Sequence, residues 1–220
     1  MRGLARDLAD RREQPSLGLR ASLPPSPERT RELAGVIELH VFDRGYAGLL
    51  LQEDGAANLC LSVARGRLGA AGDVPTLIDE IRGQAPGLAD RIGAERLPHF
   101  AAVAGVPYGW RARETHPGIF RIGDQGAVIA SLAGDGIAMA LTSGAGAAQA
   151  LLAGGPGAAT RWQADLRRKC RRPLGVAEAL RHGAERPVTR EGLMRLLQLM
   201  PRLGAYAALL TRIGGGNPTA

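Results

Sequence analysis

Three short apolar runs separated by tight, glycine-bearing turns occupy residues 36–63, and they restrict the fold more than anything else in the chain. Val36 to Phe42 is followed by Asp43-Arg44-Gly45. Tyr46 to Leu51 is followed by Glu53-Asp54-Gly55-Ala56, and Asn58 to Val63 closes the series. Each run has the length of a strand. Glycine accepts the positive φ that such turns require, so consecutive runs fold back on one another. The reading is an antiparallel meander with one buried face.

The flanking segments divide the chain further. Residues 1–34 carry many Arg, Pro and Ser residues, with breakers at Pro24, Pro25 and Pro27. They read as a poorly ordered lead-in in which Leu17 to Leu23 is the one candidate strand. Pro75 and Pro86 each open a short helix, proline being suited to a first helical turn, and the second ends near Gly93. Phe100 to Val106 is apolar and stops at Pro107-Tyr108-Gly109. Ile119 to Ile122 reads as a strand ending at Gly123-Asp124. Beyond it Ile137, Leu141, Ala145, Ala148 and Leu152 recur at helical spacing and share one face. After Gly154-Gly155-Pro156-Gly157, an arginine-studded helix is expected from Ala158 to about His182, interrupted near Pro173. A last helix from Thr189 is expected to kink at Pro201. The expected organisation is therefore a lead-in (1–34), a sheet with short helices (35–117), a strand–helix unit (118–153) and a helical region (154–220). The class is α/β, α+β within these 220 residues.

Composition narrows the function classes. The formal charge is +7, but Lys169 is the only lysine and the arginines are scattered without aromatic interleaving, which disfavours nucleic acid. Cys60 and Cys170 stand far apart, and His40, His99, His116 and His182 show no ligand spacing, so neither a disulfide framework nor a metal is expected. No uninterrupted apolar run reaches 18 residues, and Met1 to Asp7 is charged, so neither a membrane span nor a signal peptide is expected. A cytoplasmic setting follows as the expectation. Peripheral membrane contact through Arg167-Arg168-Lys169 and Leu193–Leu210 is the variant of it.

The chemistry is concentrated between Ile119 and Leu141. A carboxylate at the C-terminal end of a strand sits where open α/β sheets bind ligands, so Asp124 is a candidate acceptor for sugar or ribityl hydroxyls. Ten residues on, Gly134, Asp135, Gly136 and Ile137 mark a helix start. There glycine allows close approach, and unpaired first-turn N–H groups carry partial positive charge. Such a place suits a group that gains negative charge.

This stretch resembles the second FAD-binding motif of the para-hydroxybenzoate hydroxylase and geranylgeranyl reductase superfamily. Glu38-Leu39-His40 and Gly45-Tyr46-Ala47-Gly48-Leu49 resemble the substrate-domain sheet of its geranylgeranyl-reductase-like members. Pro107-Tyr108-Gly109, Thr211-Arg212 and Leu4 after Arg2-Gly3 add to the likeness, which covers most of residues 36–153. The resemblance implies FAD as cofactor, with NAD(P)H as a candidate reductant, in an oxidoreductase or monooxygenase acting on an apolar small molecule, isoprenoid or aromatic. Asp124 would bind the ribityl chain, with Gly123 permitting close approach. The amides around Gly134, Asp135, Gly136 and Ile137 would face the isoalloxazine or pyrophosphate. His40 and Tyr46 would lie towards the substrate. The resemblance names no catalytic side chain.

The chain departs from that pattern in two ways. Ala130 stands where the family commonly has proline. No Gly-x-Gly-x-x-Gly follows a strand, and the nearest string, Gly144 to Gln149, lies in a helical pattern. The segment that grips the ADP end, on the order of 150 residues, is therefore expected to come from elsewhere, the chain being truncated, mis-started or half of a split enzyme. The alternatives are a non-enzymatic remnant that keeps the substrate sheet, and a basic membrane-surface protein.

Overall fold

The structure is a computed structural model that describes residues 16–93, 97 and 99–213. Leu4 and the Gly214–Pro218 tail lie outside the described residues. The chain forms two compact units. One comprises residues 16–106 and 182–193, the other residues 107–181 and 194–213.

The first unit is a five-stranded sheet backed by helices. Its elements are β1 (Ser16–Leu23), α1 (Pro27–Leu33), β2 (Glu38–Phe42), β3 (Gly45–Leu51), β4 (Ala57–Ala64), α2 (Arg65–Ala71), α3 (Val74–Gln84), α4 (Pro86–Ile92) and β5 (Ala101–Val106). The strand order is β2-β3-β4-β1-β5, with every neighbour antiparallel. The meander is present, and its first turn holds Arg44 at φ 53. The Arg44 amide donates to the Glu185 carbonyl at 2.9 Å.

The register explains the core. Leu17, Leu19 and Leu23 of β1 stand opposite Val63, Leu61 and Ala57 of β4, and Leu49 of β3 stands opposite Leu59. All are buried, together with Leu33 of α1, Leu77, Ile78 and Ile81 of α3, and Leu88 and Ile92 of α4. Period-two alternation thus turns one face of the sheet onto the helices. Each fully buried leucine or isoleucine contributes about 1.5–3 kcal/mol. Helix α3 is started as the sequence implies, with Pro75 in its first turn and the Asp73 carboxylate accepting the Thr76 amide at 2.8 Å.

Ser16–Leu23 is a full-length member of the sheet, flanked on both sides, and Pro27–Leu33 is a helix capped by Ser26. The sheet therefore starts 19 residues before the boundary expected at residue 35. The candidate strand Leu17 to Leu23 is present, with Gly18, Arg20 and Ser22 alternating with the buried residues, and the lead-in from Ser16 is ordered rather than poorly ordered.

The second unit is helical. It contains α5 (Gly136–Gly154), α6 (Ala159–Lys169), the first part of α7 (Arg171–Glu185), the last part of α8 (Pro187–Leu199) and α9 (Arg202–Thr211). The expected break in the arginine-rich helix falls at Cys170 rather than Pro173. Pro173 lies in the first turn of α7, where a missing N–H costs nothing. The kink at Pro201 separates α8 from α9. Ala127, Ile129, Ala130, Met139, Leu166, Cys170, Leu174 and Ala177 form this unit's core.

The face expected in α5 is present and lies exposed, and the strand expected before it does not form among the described residues. Ile137, Leu141 and Leu152 do share one face, but they are 78%, 70% and 87% exposed, and the buried stripe is Met139, Ser143 and Ala147. By length and composition the 19-residue α5 is also apolar enough to cross a membrane. Counting uninterrupted apolar residues missed this, because Thr142, Ser143 and Gln149 break the run without lowering its mean hydropathy far. Ile119–Ile122 is not in a ladder. Ile122 has extended dihedrals, φ −110 and ψ 164, yet among the described residues no strand pairs with this segment.

Candidate functional site

The unpaired segment is held by side chains instead of a neighbouring strand. The Arg121 amide donates to Gln163 Oε1 at 3.3 Å and the Gly123 amide to Ser143 Oγ at 3.0 Å. Thr115 Oγ1 donates to the Ile119 carbonyl at 2.6 Å, and the Phe120 ring packs on Trp162 with centroids 5.6 Å apart. Gln163 is 1% exposed and Ser143 5%. Ser143 Oγ and Gln163 Oε1 are bonded here, while Gln163 Nε2 is buried without a partner. The two bonds fix the backbone of residues 121–123 without contributing a strand.

The chain then tightens into a 3-10 turn, Gly123–Gln125, closed by the Gly126 amide on the Gly123 carbonyl at 2.8 Å. Gly123 has φ 50, in the left-handed region, and a Cβ placed there would lie 3.3 Å from the Ala140 Cβ. The turn therefore rests directly on α5. Asp124 is exposed at its tip, and no hydrogen bond or ion pair involves it among the described residues.

Residues 126–130 run buried beneath the turn. Ala127 bridges Arg111, the Gly109 amide donates to the Val128 carbonyl, and the Val128 amide donates to the Trp110 carbonyl, both at 2.9 Å. Ala130 is fully buried. It leads into a second 3-10 turn, Ser131–Ala133, which ends at Gly134 with φ 73. Asp135 and Gly136 follow, and α5 begins. Nothing lies within 4 Å of a Cβ placed on Gly134 or on Gly136. Packing within the chain does not demand glycine at either place, and the space in front of the helix start is open.

The first four N–H groups of a helix have no intrahelical acceptor, and here no side chain caps them. Asp135 occupies the capping position, but its Oδ2 accepts a 2.6 Å hydrogen bond from Thr211 Oγ1 at the end of α9. Ile137, the next candidate, is largely exposed beside these amides. Gly123 touches α5 at Ala140 and bonds to Ser143, the first of these contacts about 6 Å along the axis from Gly136 at 1.5 Å rise per residue. The structure thus sets the Gly123–Gln125 turn, which carries Asp124, against α5, the helix that Gly134, Asp135, Gly136 and Ile137 lead into.

It does not bring His40 and Tyr46 together. They are an even number of residues apart, but they sit on different strands, and pairing decides their faces. His40 stands opposite Ala47 and Tyr46 opposite Val41 and Ser62. His40 therefore shares the helix-backed face with Ala47, and Tyr46 lies on the other face. His40 belongs to a polar cluster: its Nε2 is 3.0 Å from Glu38 Oε2, and Arg91 donates to both Glu38 oxygens at 3.0–3.1 Å and to Glu32 at 2.7 Å. Burial pushes the Glu38 carboxyl up, but hydrogen bonds from Arg91 and His40, with their charges, outweigh it and leave it below its ordinary value. This is an ion-pair cluster at the sheet edge. Tyr46 is 4% exposed, beside Ser62 at 2%.

Ser143, Gln163 and Thr211 are the contributors that sequence reasoning passed over as site residues. A lone polar residue in the buried stripe of an apolar helix was the available signal for Ser143. Nothing local marks Gln163, and Thr211 was noted only within Thr211-Arg212 as part of the likeness, without a role; they act on residues 42 and 76 positions away. Among the described residues no cluster of metal-ligating side chains is present.

No protein-family model matches the chain, and no curated protein matches it either. Solved structures do. PqsL of Pseudomonas aeruginosa, described as a probable FAD-dependent monooxygenase, superposes with a TM-score of 0.59 at 20% identity, over 84% of this chain and 52% of its own. The flavin-dependent halogenase CmlS gives 0.63 at 13% identity, over 95% of this chain and 42% of its own. The flavin-dependent brominase Bmp2 gives 0.62 at 14%, over 90% and 50%. The chain has a flavin-monooxygenase-like fold and spans about half the length of these structures.

Proposed function

We propose that the chain is the C-terminal, substrate-facing part of an FAD-dependent oxidoreductase, and that its Gly123-Asp124 turn and the start of α5 hold the ribityl and ring portions of the flavin. The observation that supports this is the packing of Gly123 on Ala140, which puts the turn carrying Asp124, a carboxylate with no bond among the described residues, against the helix whose first amides have no side-chain cap. The donor set fits the group. Asp124 offers acceptors for ribityl hydroxyls, and the amides of Gly136 and Ile137 favour negative charge on the flavin's pyrimidine edge. The open space in front of Gly134 and Gly136 admits a planar ligand close to the backbone. The cofactor, when bound, supplies the redox chemistry. The protein's part is to orient it, and the sheet unit supplies an apolar surface for a small substrate, isoprenoid or aromatic. Reduction of a double bond and oxygenation both fit this arrangement, with NAD(P)H as the reductant, and the setting is cytoplasmic.

The rest of the FAD site, including a Gly-x-Gly-x-x-Gly turn, is proposed to come from a second segment of about this chain's own length, on the same polypeptide or another. Two features support it. Ile122 is extended and residues 119–122 have no ladder partner among the described residues, and the α5 stripe of Ile137, Leu141 and Leu152 is apolar and exposed. A parallel sheet joined to that segment would use both, since such sheets are covered on their faces.

Flavin retention is the test. These 220 residues alone are expected to be colourless and to self-associate. Joined to a fingerprint-bearing segment they are expected to retain FAD, and Asp124→Ala is expected to release it. A flavin-loaded preparation indifferent to Asp124→Ala would refute the assignment. A bilayer is the other surface that would cover α5, so sedimentation with anionic vesicles at low salt, weakening as salt rises, would favour the membrane-surface reading instead.

A further inference from the structure

We infer that Thr211 is a positioning residue that holds the Asp135 carboxylate away from the helix it would otherwise cap, leaving the first-turn amides of α5 open to a ligand. This rests on the proposed flavin site and deepens it. Aspartate is among the strongest N-cap residues, accepting from the second or third amide of the helix that follows. The chain shows that behaviour elsewhere. Asp73, with φ −141 and ψ 171, accepts the Thr76 amide at 2.8 Å, and Ser26, with φ −144 and ψ 129, accepts from the Arg29 amide. Asp135 occupies the same position before α5, yet its φ is −92 and its ψ 4, and it makes no cap. The two caps have extended dihedrals, and the inference is that the Thr211 bond keeps Asp135 out of them, so that Asp135 returns to that range once released.

What it makes instead is the 2.6 Å bond from Thr211. Thr211 is 1% exposed, so its hydroxyl has no access to bulk water. Its single proton has two acceptors within reach, the Ala208 carbonyl at 2.9 Å and the Asp135 carboxylate at 2.6 Å. The ionised acceptor at the shorter distance takes it, as charge-assisted O–H···O bonds do. A threonine at the end of α9 thereby turns a capping residue away from its own helix. With the cap lost, the amides of Ile137 and Ala138 must find an acceptor in solvent or in a ligand.

Residue-resolved amide hydrogen exchange on the ligand-free chain tests this directly. Asp135→Ala is expected to leave exchange at Ile137 and Ala138 unchanged within about twofold, because no cap is removed. Asp73→Ala is expected to speed exchange at Thr76 about fivefold, the factor that loss of such a cap brings. Thr211→Val is expected to slow Ile137 or Ala138 about fivefold, because the freed carboxylate swings onto them. Thr211→Ser is expected to behave as the unmodified chain, and Thr211→Val in the Asp135→Ala background to show no slowing. Acceleration at α5 by Asp135→Ala, or Thr211→Ser behaving as Thr211→Val, overturns the inference, and the Asp135→Ala arm decides it even if Thr211→Val fails to fold. In the flavin-loaded form, Thr211→Val is expected to weaken FAD binding about fivefold, and added Asp135→Ala to restore it. If the joined, unmodified protein binds no FAD, the flavin reading fails while the exchange result still decides the role of Thr211.

Discussion

Replacing Gly123 with alanine separates two costs that the structure places at one position. The first is backbone strain: Gly123 has φ 50, and a residue with a Cβ held in the left-handed region costs about 1–2 kcal/mol. The second is contact. The new Cβ would sit 3.3 Å from the Ala140 Cβ, which is anchored on a helix and has no rotamer by which to move aside. Optimal carbon–carbon separation is about 3.5–4.0 Å, so turn and helix must part by a few tenths of an ångström, at roughly 1–2 kcal/mol for overpacking. Gly134 is the internal control. Its φ is 73, and nothing lies within 4 Å of an added Cβ, so Gly134→Ala carries strain alone. Gly123→Ala should therefore destabilise by about 2–4 kcal/mol and Gly134→Ala by about 1–2. Both tryptophans, Trp110 and Trp162, lie in the helical unit, so urea unfolding followed by tryptophan fluorescence reports the unit concerned. Ala140→Gly by itself should cost about 1 kcal/mol as a helix-interior glycine. Combined with Gly123→Ala it should cost less than the sum by about 1–2 kcal/mol, a coupling expected only of touching residues. Equal losses for Gly123→Ala and Gly134→Ala, with additive behaviour in the double variant, would show that the turn does not rest on α5, and the juxtaposition behind the proposed site would go with it.

Two more expectations follow from groups outside the site. Glu38 titrates below its ordinary value of 4.5, so its ion pair adds stability above that pH and loses it as pH falls through the lower folded value. Acid unfolding of the sheet unit should therefore become less steep below about pH 4.5 in Arg91→Gln, as read by circular dichroism; an unchanged acid limb would remove Arg91 as the cause. Cys170 is buried, and burial pushes its thiol up to about 11, whereas Cys60 is exposed. At pH 8 in the absence of denaturant iodoacetamide should modify Cys60 and spare Cys170, since the thiolate is the nucleophile, and modification of both at similar rates would contradict the burial.

Local chemistry accounts for what the sequence made legible. The strand–turn–strand pattern of residues 36–63, the proline-led starts of α3 and α4, and the break at Pro201 each depend on neighbours within a few positions, and all stand in the structure. The turn and the helix start of the candidate site were legible for the same reason. Gly123-Asp124 and Gly134-Asp135-Gly136 are turn and helix-start signals whose meaning lies in their own backbone. The failures also share a cause. Ile119–Ile122 has strand composition, but a strand exists only with a partner, and Gln163 takes the Arg121 amide and Ser143 the Gly123 amide instead. Leu17 to Leu23 was legible as a strand, but that it lies inside the sheet between β4 and β5, and so orders the lead-in from Ser16, depends on pairing with distant residues.

The sequence alone determined which segments could be strands or helices and where a carboxylate and a free helix start would occur. Only the tertiary structure decided that His40 and Tyr46 lie on opposite faces, that the apolar stripe of α5 points outward, and that Asp135 bonds to Thr211 rather than to its own helix. Those outcomes depend on register and on contacts between residues far apart in the chain. Composition and periodicity carry no record of either, because the same pattern is compatible with several pairings and only close packing selects among them.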